Sequence, residues 1–333
     1  MPNQPDVGDV HANALLTQIS IAHIQQPNAF VADKVFPLVG VDKQSDIYLK
    51  YTRGDFMVDP GEQMTRAPNT RAALVGYGVD KTNTYYCRNQ AIGMEISDEL
   101  RGNADAVFQL DQEVTTLLSQ IHLIRRERLL AAAAFAGSQW LGGTGGTDVD
   151  VTDGSHGGAR WQDYGASDPI GDIELEKDTV ELASGVLCNK LIMGAIVWRR
   201  LKHHPDFIDL IKYGAAAANP AMITPNLLAQ ILELDEVLVS RAIYKTSVEG
   251  VTLTLGRVID DDALLCYVPT APGLLVPAAG YTFFWRPLTG GAIQFARKGR
   301  QERERYDWIE VHSYLTHVLT EAYAGAFFAD CVN

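Results

Sequence analysis

The sequence predicts an α+β protein in which one long helix lies over antiparallel strands and a small α/β layer is inserted between them. Three observations carry this. Apolar residues at Val107, Leu110, Val114, Leu117, Ile121 and Ile124 recur every three or four positions, the period of one helix face. The stretches flanking this helix, roughly 47–96 and 290–330, change to a period of two, which marks strands. Between 186 and 286, short apolar runs alternate with capped helical segments, the pattern of an α/β layer.

Residues 1–45 read as an arm. Pro2, Pro5, Pro27 and Pro37 punctuate it, and no long period develops. Ile19–Ile24 and Ala29–Phe36 nevertheless hold enough apolar surface to dock, and the expected surface is a neighbouring molecule. Residues 46–98 read as a long two-stranded hairpin: Val75, Tyr77 and Val79 alternate, then Thr82, Thr84 and Tyr86. Asp59-Pro60-Gly61 and Pro68-Asn69 are turn sequences and set an irregular tip near 59–70. A two-stranded hairpin is marginal alone in water, so one this long calls for a partner surface.

The long helix is expected over Asp105–Ala136. Asn103 can cap its start and Gly137 can stop it in the left-handed conformation. No Pro or Gly interrupts it, and Ala131–Ala134 prolong it with the strongest helix former. About 30 residues at about 1.5 Å each make a rod of roughly 45 Å, a spine for the fold. After a glycine-rich loop, Asp168-Pro169 opens a helix as cap and first residue, and Gly185 closes it. In the second unit, Leu187–Met193 is a strand, followed by a short helix with Trp198 and Leu201. His204-Pro205 and Thr224-Pro225 start two more helices, and Val237–Ser240, Leu264–Val268 and Tyr281–Trp285 are further strands. Beyond 290, Ile293, Phe295, Trp308, Val311, Tyr314, Thr316 and Val318 return to period two. They are expected to pair beneath the spine.

Composition narrows the functional classes. A chain of 333 residues with 47% hydrophobic and 21% charged residues can build two cores. No apolar run reaches the roughly 18 residues needed to cross a bilayer, and the N-terminus has no signal-peptide pattern, so the expected compartment is a cytoplasm. Cys87, Cys188, Cys266 and Cys331 are scattered singly, which favours reduced buried thiols over disulfides or a zinc site. The net charge of −13 disfavours a protein whose main task is gripping nucleic acid, but does not exclude a wall enclosing it, which should not stick tightly to its contents.

A search for chemistry finds none. There is no G-x-S-x-G elbow, and Ser155-His156 has no carboxylate at helical spacing. Gly142–Gly146 lacks the G-K-[ST] of a phosphate loop. Asp148, Asp150 and Asp153 resemble a calcium loop, yet position twelve is Ala159. His203-His204 with Asp206 is a poor chelate because adjacent residues diverge on a helix, and His312 and His317 fall on opposite faces of a strand. Asp260–Asp262 reads as a solvated turn. Arg125-Arg126-Glu127-Arg128 and the Arg297–Arg305 stretch read either as solvated faces or as carboxylate partners for an adjoining chain. No catalytic, cofactor or metal residue is assigned, and no enzymatic activity is expected.

The order of parts resembles the major capsid protein of tailed bacteriophages, with the HK97-type fold. The resemblance rests on Asn189-Lys190-Leu191-Ile192-Met193-Gly194, Trp198, His204-Pro205 and Ile211-Lys212-Tyr213. It continues through Thr224-Pro225 with Leu227-Leu228, Val237-Leu238-Val239 and Gly280-Tyr281-Thr282-Phe283. Arg66-Ala67-Pro68 in the hairpin and Trp161-Gln162-Asp163-Tyr164 with Ser167-Asp168-Pro169 complete it, from about residue 20 to the C-terminus. The resemblance implies an N-arm (1–45), an extended E-loop hairpin (46–98), a peripheral domain (99–185 and 287–333) and an axial A-domain (186–286). It also implies self-assembly into hexamers and pentamers, an icosahedral shell around double-stranded DNA, and maturation from a procapsid. A separate scaffolding protein is implied because only about 45 residues precede the hairpin, and a portal and a decoration protein are further implied partners. No Lys–Asn crosslink pair is placed. An encapsulin-like compartment shell and a soluble two-domain enzyme are the alternatives.

Overall fold

The computed structural model describes residues 24–104, 109–136, 139–140, 149–150, 159–214, 223–273, 275–289 and 292–332. Helix α1 (Ala32–Val35) and its flanks bury Val31, Val35 and Phe36 in the core, and strand β1 (Leu38–Val41) follows. Ala29–Phe36 therefore docks on its own chain, not on a neighbour as its composition suggested. Residues 1–23, with most of the Ile19–Ile24 stretch, lie outside the described residues.

Four short strands come next: β2 (Ser45–Ile47), β3 (Lys50–Tyr51), β4 (Val79–Asp80) and β5 (Thr84–Tyr86), with the one-turn helix α2 (Arg53–Phe56) between β3 and β4. β2 pairs with β5 and β3 with β4, both antiparallel, so the hairpin is present. Its irregular tip runs from 52 to 78, wider than the expected 59–70. Gly76 and Gly78 interrupt the alternation around Tyr77, and glycine weakens a strand. The Gly78 N–H goes instead to the Asp55 carboxylate at 2.7 Å.

Strand β6 (Arg88–Ser97) leads into helix α3 (Asp98–Asn103), where the Ser97 hydroxyl accepts the Leu100 N–H. The spine, α4, spans Leu110–Ala134, 25 residues and roughly 37 Å. Asn103 ends α3 and does not cap the spine. Val107 and Gly137 lie outside the described residues. Asp111 and Glu113 in the first turn complement the helix dipole. The buried face is Val114, Leu118, His122, Glu127, Leu130 and Ala134, whereas Leu117, expected inside, is 52% exposed and Ile121 is also exposed. The face is turned because two polar residues, His122 and Glu127, find buried hydrogen-bond partners, and apolar periodicity is blind to them.

The second half begins with β7 (Val149–Asp150) and α5 (Pro169–Ser184). The Asp168 carboxylate accepts the Gly171 N–H at 2.9 Å, Pro169 opens the helix and Gly185 closes it at φ 74°, as the sequence predicts. Strand β8 (Lys190–Gly194), helices α6 (Ala195–Leu201), α7 (Pro205–Gly214) and α8 (Pro225–Ile231) and strand β9 (Glu236–Ser240) alternate next. The strands β10 (Ile243–Lys245), β11 (Leu255–Arg257), β12 (Ala263–Cys266), β13 (Gly280–Trp285), β14 (Gln294–Gln301), β15 (Tyr306–Leu319) and β16 (Gly325–Ala329) close the chain.

Two five-stranded sheets organise these elements. In the first, β15 is antiparallel to β14, β6 and β13, and β1 adds in parallel to β13. The spine lies across it: Leu118 packs with Ile96, Ile309 and Val311, and the His122 ring meets the Val311 carbonyl at 2.8 Å. The return strands β14 and β15 thus sit beneath the spine. In the second sheet the order is β7-β16-β12-β8-β9. Strands β16, β12, β8 and β9 are buried on both faces, so successive residues serve opposite cores. Leu191, Met193, Leu265 and Phe328 meet Trp161, Ile173, Val197 and Phe207 on one side. Ile192, Leu264, Cys266 and Phe327 meet Val35, Phe36, Leu130 and Trp140 on the other. Strand β13, read with the α/β layer, pairs in the first sheet, and β16 near the C-terminus pairs in the second. At Gly194 an added Cβ would fall 1.8 Å from the Asp260 carbonyl oxygen, so this close crossing admits only glycine.

Candidate assembly surfaces

The polar clusters that the sequence offers as lattice contacts are mostly engaged inside the chain. Glu127 is fully buried rather than solvated. One carboxylate oxygen accepts the Val31 and Ala32 N–H groups at 3.0 and 2.9 Å, and the other accepts the Ser240 hydroxyl at 2.7 Å. Burial raises its pKa, and the three hydrogen bonds pull it back. Its neighbours are also occupied: Arg126 pairs with Asp33, Arg125 reaches Gln90, and the Arg128 guanidinium lies 4.5 Å from the Tyr244 ring centre. This cluster ties the spine to α1 and the end of β9.

In the Arg297–Arg305 stretch, Arg300 grips both oxygens of Asp98 at 2.8 and 2.7 Å and touches Asp307 at 3.2 Å, which lowers the Asp98 pKa. Lys298 pairs with Asp111, which also holds Arg101 at 2.7 Å. These ions fasten β14 to the starts of α3 and α4.

Of the histidines singled out in the sequence, His204, His312 and His317 are buried. His204 is fully buried, 3.0 Å from the Ser167 hydroxyl and 3.3 Å from Asp206, and burial lowers its pKa. His203 is exposed beside it. His317, on the spine side of β15, lies 2.9 Å from the Thr282 hydroxyl, and burial lowers its pKa to about 4. His312, on the opposite face, stacks on Phe295. Asp260–Asp262 is less solvated than expected: Asp262 and Asp261 carbonyls accept the Gly194 and Cys331 N–H groups, and burial raises the Asp261 pKa. The four cysteines are free and buried, with Cys87 pushed up to about 11 and Cys188 to about 12. Among the described residues no cluster of His, Cys, Asp or Glu could hold a metal ion, and no helix is long and apolar enough to cross a membrane. Ser155-His156, Gly142–Gly146, Asp148 and Asp153 lie outside the described residues.

Large apolar side chains also remain open. Phe56, Met57, Val58, Met64, Leu74 and Tyr77 of the hairpin tip are each more than half exposed. Phe56 and Tyr77 touch only each other and Tyr51 among aromatic partners. The β10–β11 hairpin shows Val248, Val251 and Leu253 in the same way. Monomeric soluble proteins rarely leave contiguous apolar surface of this kind. The Phe56-Met57-Val58 and Val251–Leu255 runs were the available sequence signals for these patches.

Comparison with known proteins fits this arrangement. No family model matches the chain. A crystallised phage-related protein from Bordetella bronchiseptica superposes with a TM-score of 0.66 at 21% identity, covering 92% of this chain and 93% of that one. The mature capsid of bacteriophage PhiM1 superposes with a TM-score of 0.60 at 10% identity, over 96% and 92% of the two chains. The chain has the HK97-type capsid fold. In sequence, it is 26% identical to the major capsid protein of Burkholderia phage BcepMu over 274 residues, which are 80% of this chain and 81% of that one.

Proposed function

We propose that this chain is the major capsid protein of a tailed bacteriophage and assembles as hexamers and pentamers into an icosahedral shell around double-stranded DNA. The observation that carries it is the hairpin tip, whose large apolar side chains stay exposed on a chain whose second sheet is buried on both faces. The capsid fold and the similarity to a phage major capsid protein support the same function. In this reading the chain is a structural protein and not an enzyme. Its domains are the N-arm (1–45), E-loop (46–98), peripheral domain (99–185 and 287–333) and A-domain (186–286). The shell forms in the host bacterial cytoplasm with a separate scaffolding protein, and a portal and a decoration protein complete the virion.

The test is negative-stain electron microscopy with sedimentation of the chain expressed alone and with its scaffold. Closed shells or sheets of hexamers are expected. A monomer that persists at high concentration with the scaffold present would refute the proposal. Particles filled with a cargo protein in place of DNA would favour the encapsulin-like alternative.

A further inference from the structure

A strongly basic pocket lies apart from the apolar patches. Tyr164, Ile196, Arg199, Arg200, Lys202 and His203 line a cavity of about 370 Å³ beside α6. The Tyr164 hydroxyl is fixed on the Arg200 carbonyl at 3.2 Å, and the buried His204 packs edge-on against the Tyr164 ring. Arg199 and Arg200 are exposed, and neither these arginines nor Lys202 makes an ion pair among the described residues. Three unmatched cations at one spot are unusual in a chain with 41 acidic and 28 basic residues.

The same layer carries the opposite feature. Glu174, Asp178 and Glu181 stand at i, i+4 and i+7 of α5, all exposed and all without an ion-pair partner among the described residues. Leu175 and Leu182, the latter 86% exposed, run beside this stripe. Helices α5 and α6 cover one face of the second sheet, through Ile173 and Val180 from one and Val197 and Leu201 from the other. Helix α5 therefore shows acids with exposed leucines, and α6 shows cations beside Ile196, with Tyr164 from the turn before α5 completing the pocket.

We propose that the pocket of one copy receives the Glu174–Asp178–Glu181 stripe of the next copy around a ring. A head-to-tail contact joins two different patches of the same chain and closes when the rotation closes, as hexamers and pentamers require. The carboxylates meet the guanidinium groups, and Leu182 meets the Tyr164 and Ile196 walls. A duplex fits the site less well, because nonspecific DNA binding calls for cations alone along a phosphate ridge, and here the cations share the site with the apolar surface of Tyr164 and Ile196. The pairing rests on the shell-forming function proposed above.

Charge reversal tests it in the full-length chain under conditions where the wild type forms shells. Arg199→Glu with Arg200→Glu, and separately Glu174→Arg with Asp178→Arg, should each lower the sedimenting shell fraction by at least about tenfold, since like charges then face each other. The four-residue reversal should restore shells. All these residues are exposed, so the variants keep the fold, which circular dichroism checks. Shells that form normally in either double variant would overturn the pairing while leaving the capsid function standing. Failure of the four-residue reversal to restore them would also overturn it. Intact shells that retain less nucleic acid would assign the pocket to phosphate and overturn it too. A wild-type chain that forms no shells with its scaffold would overturn the capsid function, and the pairing with it.

Discussion

Glu127 provides the sharpest test of how the spine is held. Its carboxylate is inaccessible to solvent and accepts three hydrogen bonds, two from the N–H groups of Val31 and Ala32 and one from the Ser240 hydroxyl. Glu127→Ala strands all three donors in a buried site. At about 1–3 kcal/mol for each unsatisfied group, tempered by partial relaxation, the expected loss is about 3–5 kcal/mol. Glu127→Gln is nearly isosteric: its carbonyl oxygen can keep the two N–H groups, and its amide can donate to the Ser240 hydroxyl. Burial disfavours the wild-type charge, as the raised pKa shows, so the neutral amide should stay within about 1 kcal/mol of wild type at pH 7. The sign of the pH dependence follows. A carboxyl whose folded pKa lies above its unfolded value stabilises the fold most below the unfolded pKa, and this is lost as pH rises through the folded pKa. Acidification through that window should therefore favour wild type relative to the Gln variant. Urea unfolding of unassembled chain, followed by tryptophan fluorescence with Trp140 in the same core as a reporter, measures all three. Equal losses for Ala and Gln, or an Ala loss below about 1 kcal/mol, would refute the hydrogen-bonded node.

Three further outcomes are expected. Leu118→Ala should cost about 2–5 kcal/mol, since Leu118 is buried against Ile309 and Val311, while Leu117→Ala next to it should change stability by less than about 0.5 kcal/mol; urea midpoints that reverse this order would put the spine in the other rotation. His317 is held neutral by burial at a pKa of about 4 against 6.5 unfolded, so the unfolded chain takes up the proton first and stability falls as pH drops from 6.5 towards 4, by about 3 kcal/mol in all. His317→Gln should flatten that part of the pH profile, and an unchanged slope would refute the assignment. Deleting residues 1–23 should leave unfolding of the chain cooperative, because the buried segment starting at Ala29 is kept, yet reduce closed shells in sedimentation; normal shells would remove the arm from assembly.

How much of this was legible in the sequence depends on what each signal reports. The α5 boundaries could be read directly, since Asp168, Pro169 and Gly185 act on their own backbone and depend on nothing distant. The existence of the spine was equally local, but its rotation was not: His122 and Glu127 are buried by partners 189 and 96 residues away, at Val311 and Val31. Sheet membership is also nonlocal. Gly280–Trp285 has the same period whether it pairs with β12 or with β15, and only the fold chooses. The docking of Ala29–Phe36 on its own core was missed for the same reason, because an apolar run states that it will be covered and not by whom. The basic pocket was visible as Arg199-Arg200-Leu201-Lys202-His203-His204, but a search for metal ligands saw only the histidine pair.

The contrast between the interior and the hairpin tip bears on assembly. The second sheet is covered by Trp161 and Phe207 on one face and by Phe36 and Leu130 on the other, all almost completely buried, so these cores need no partner to complete them. The tip is the reverse: its ladder has only five paired positions, in two short pieces, and its aromatic residues touch chiefly one another. A two-stranded ribbon of this kind gains too little on its own to fix one conformation. Its apolar side chains would each gain roughly 1.5–3 kcal/mol on full burial, so covering even three of them contributes about 5–9 kcal/mol to a contact between copies before the cost of association. The tip is fastened at its base, where Lys50 pairs with Glu321 at 3.3 Å and the Arg53 guanidinium lies 3.8 Å from the Tyr323 ring centre. Under the proposed function, this tip, anchored at its base and apolar beyond it, is the part of the chain that meets another copy.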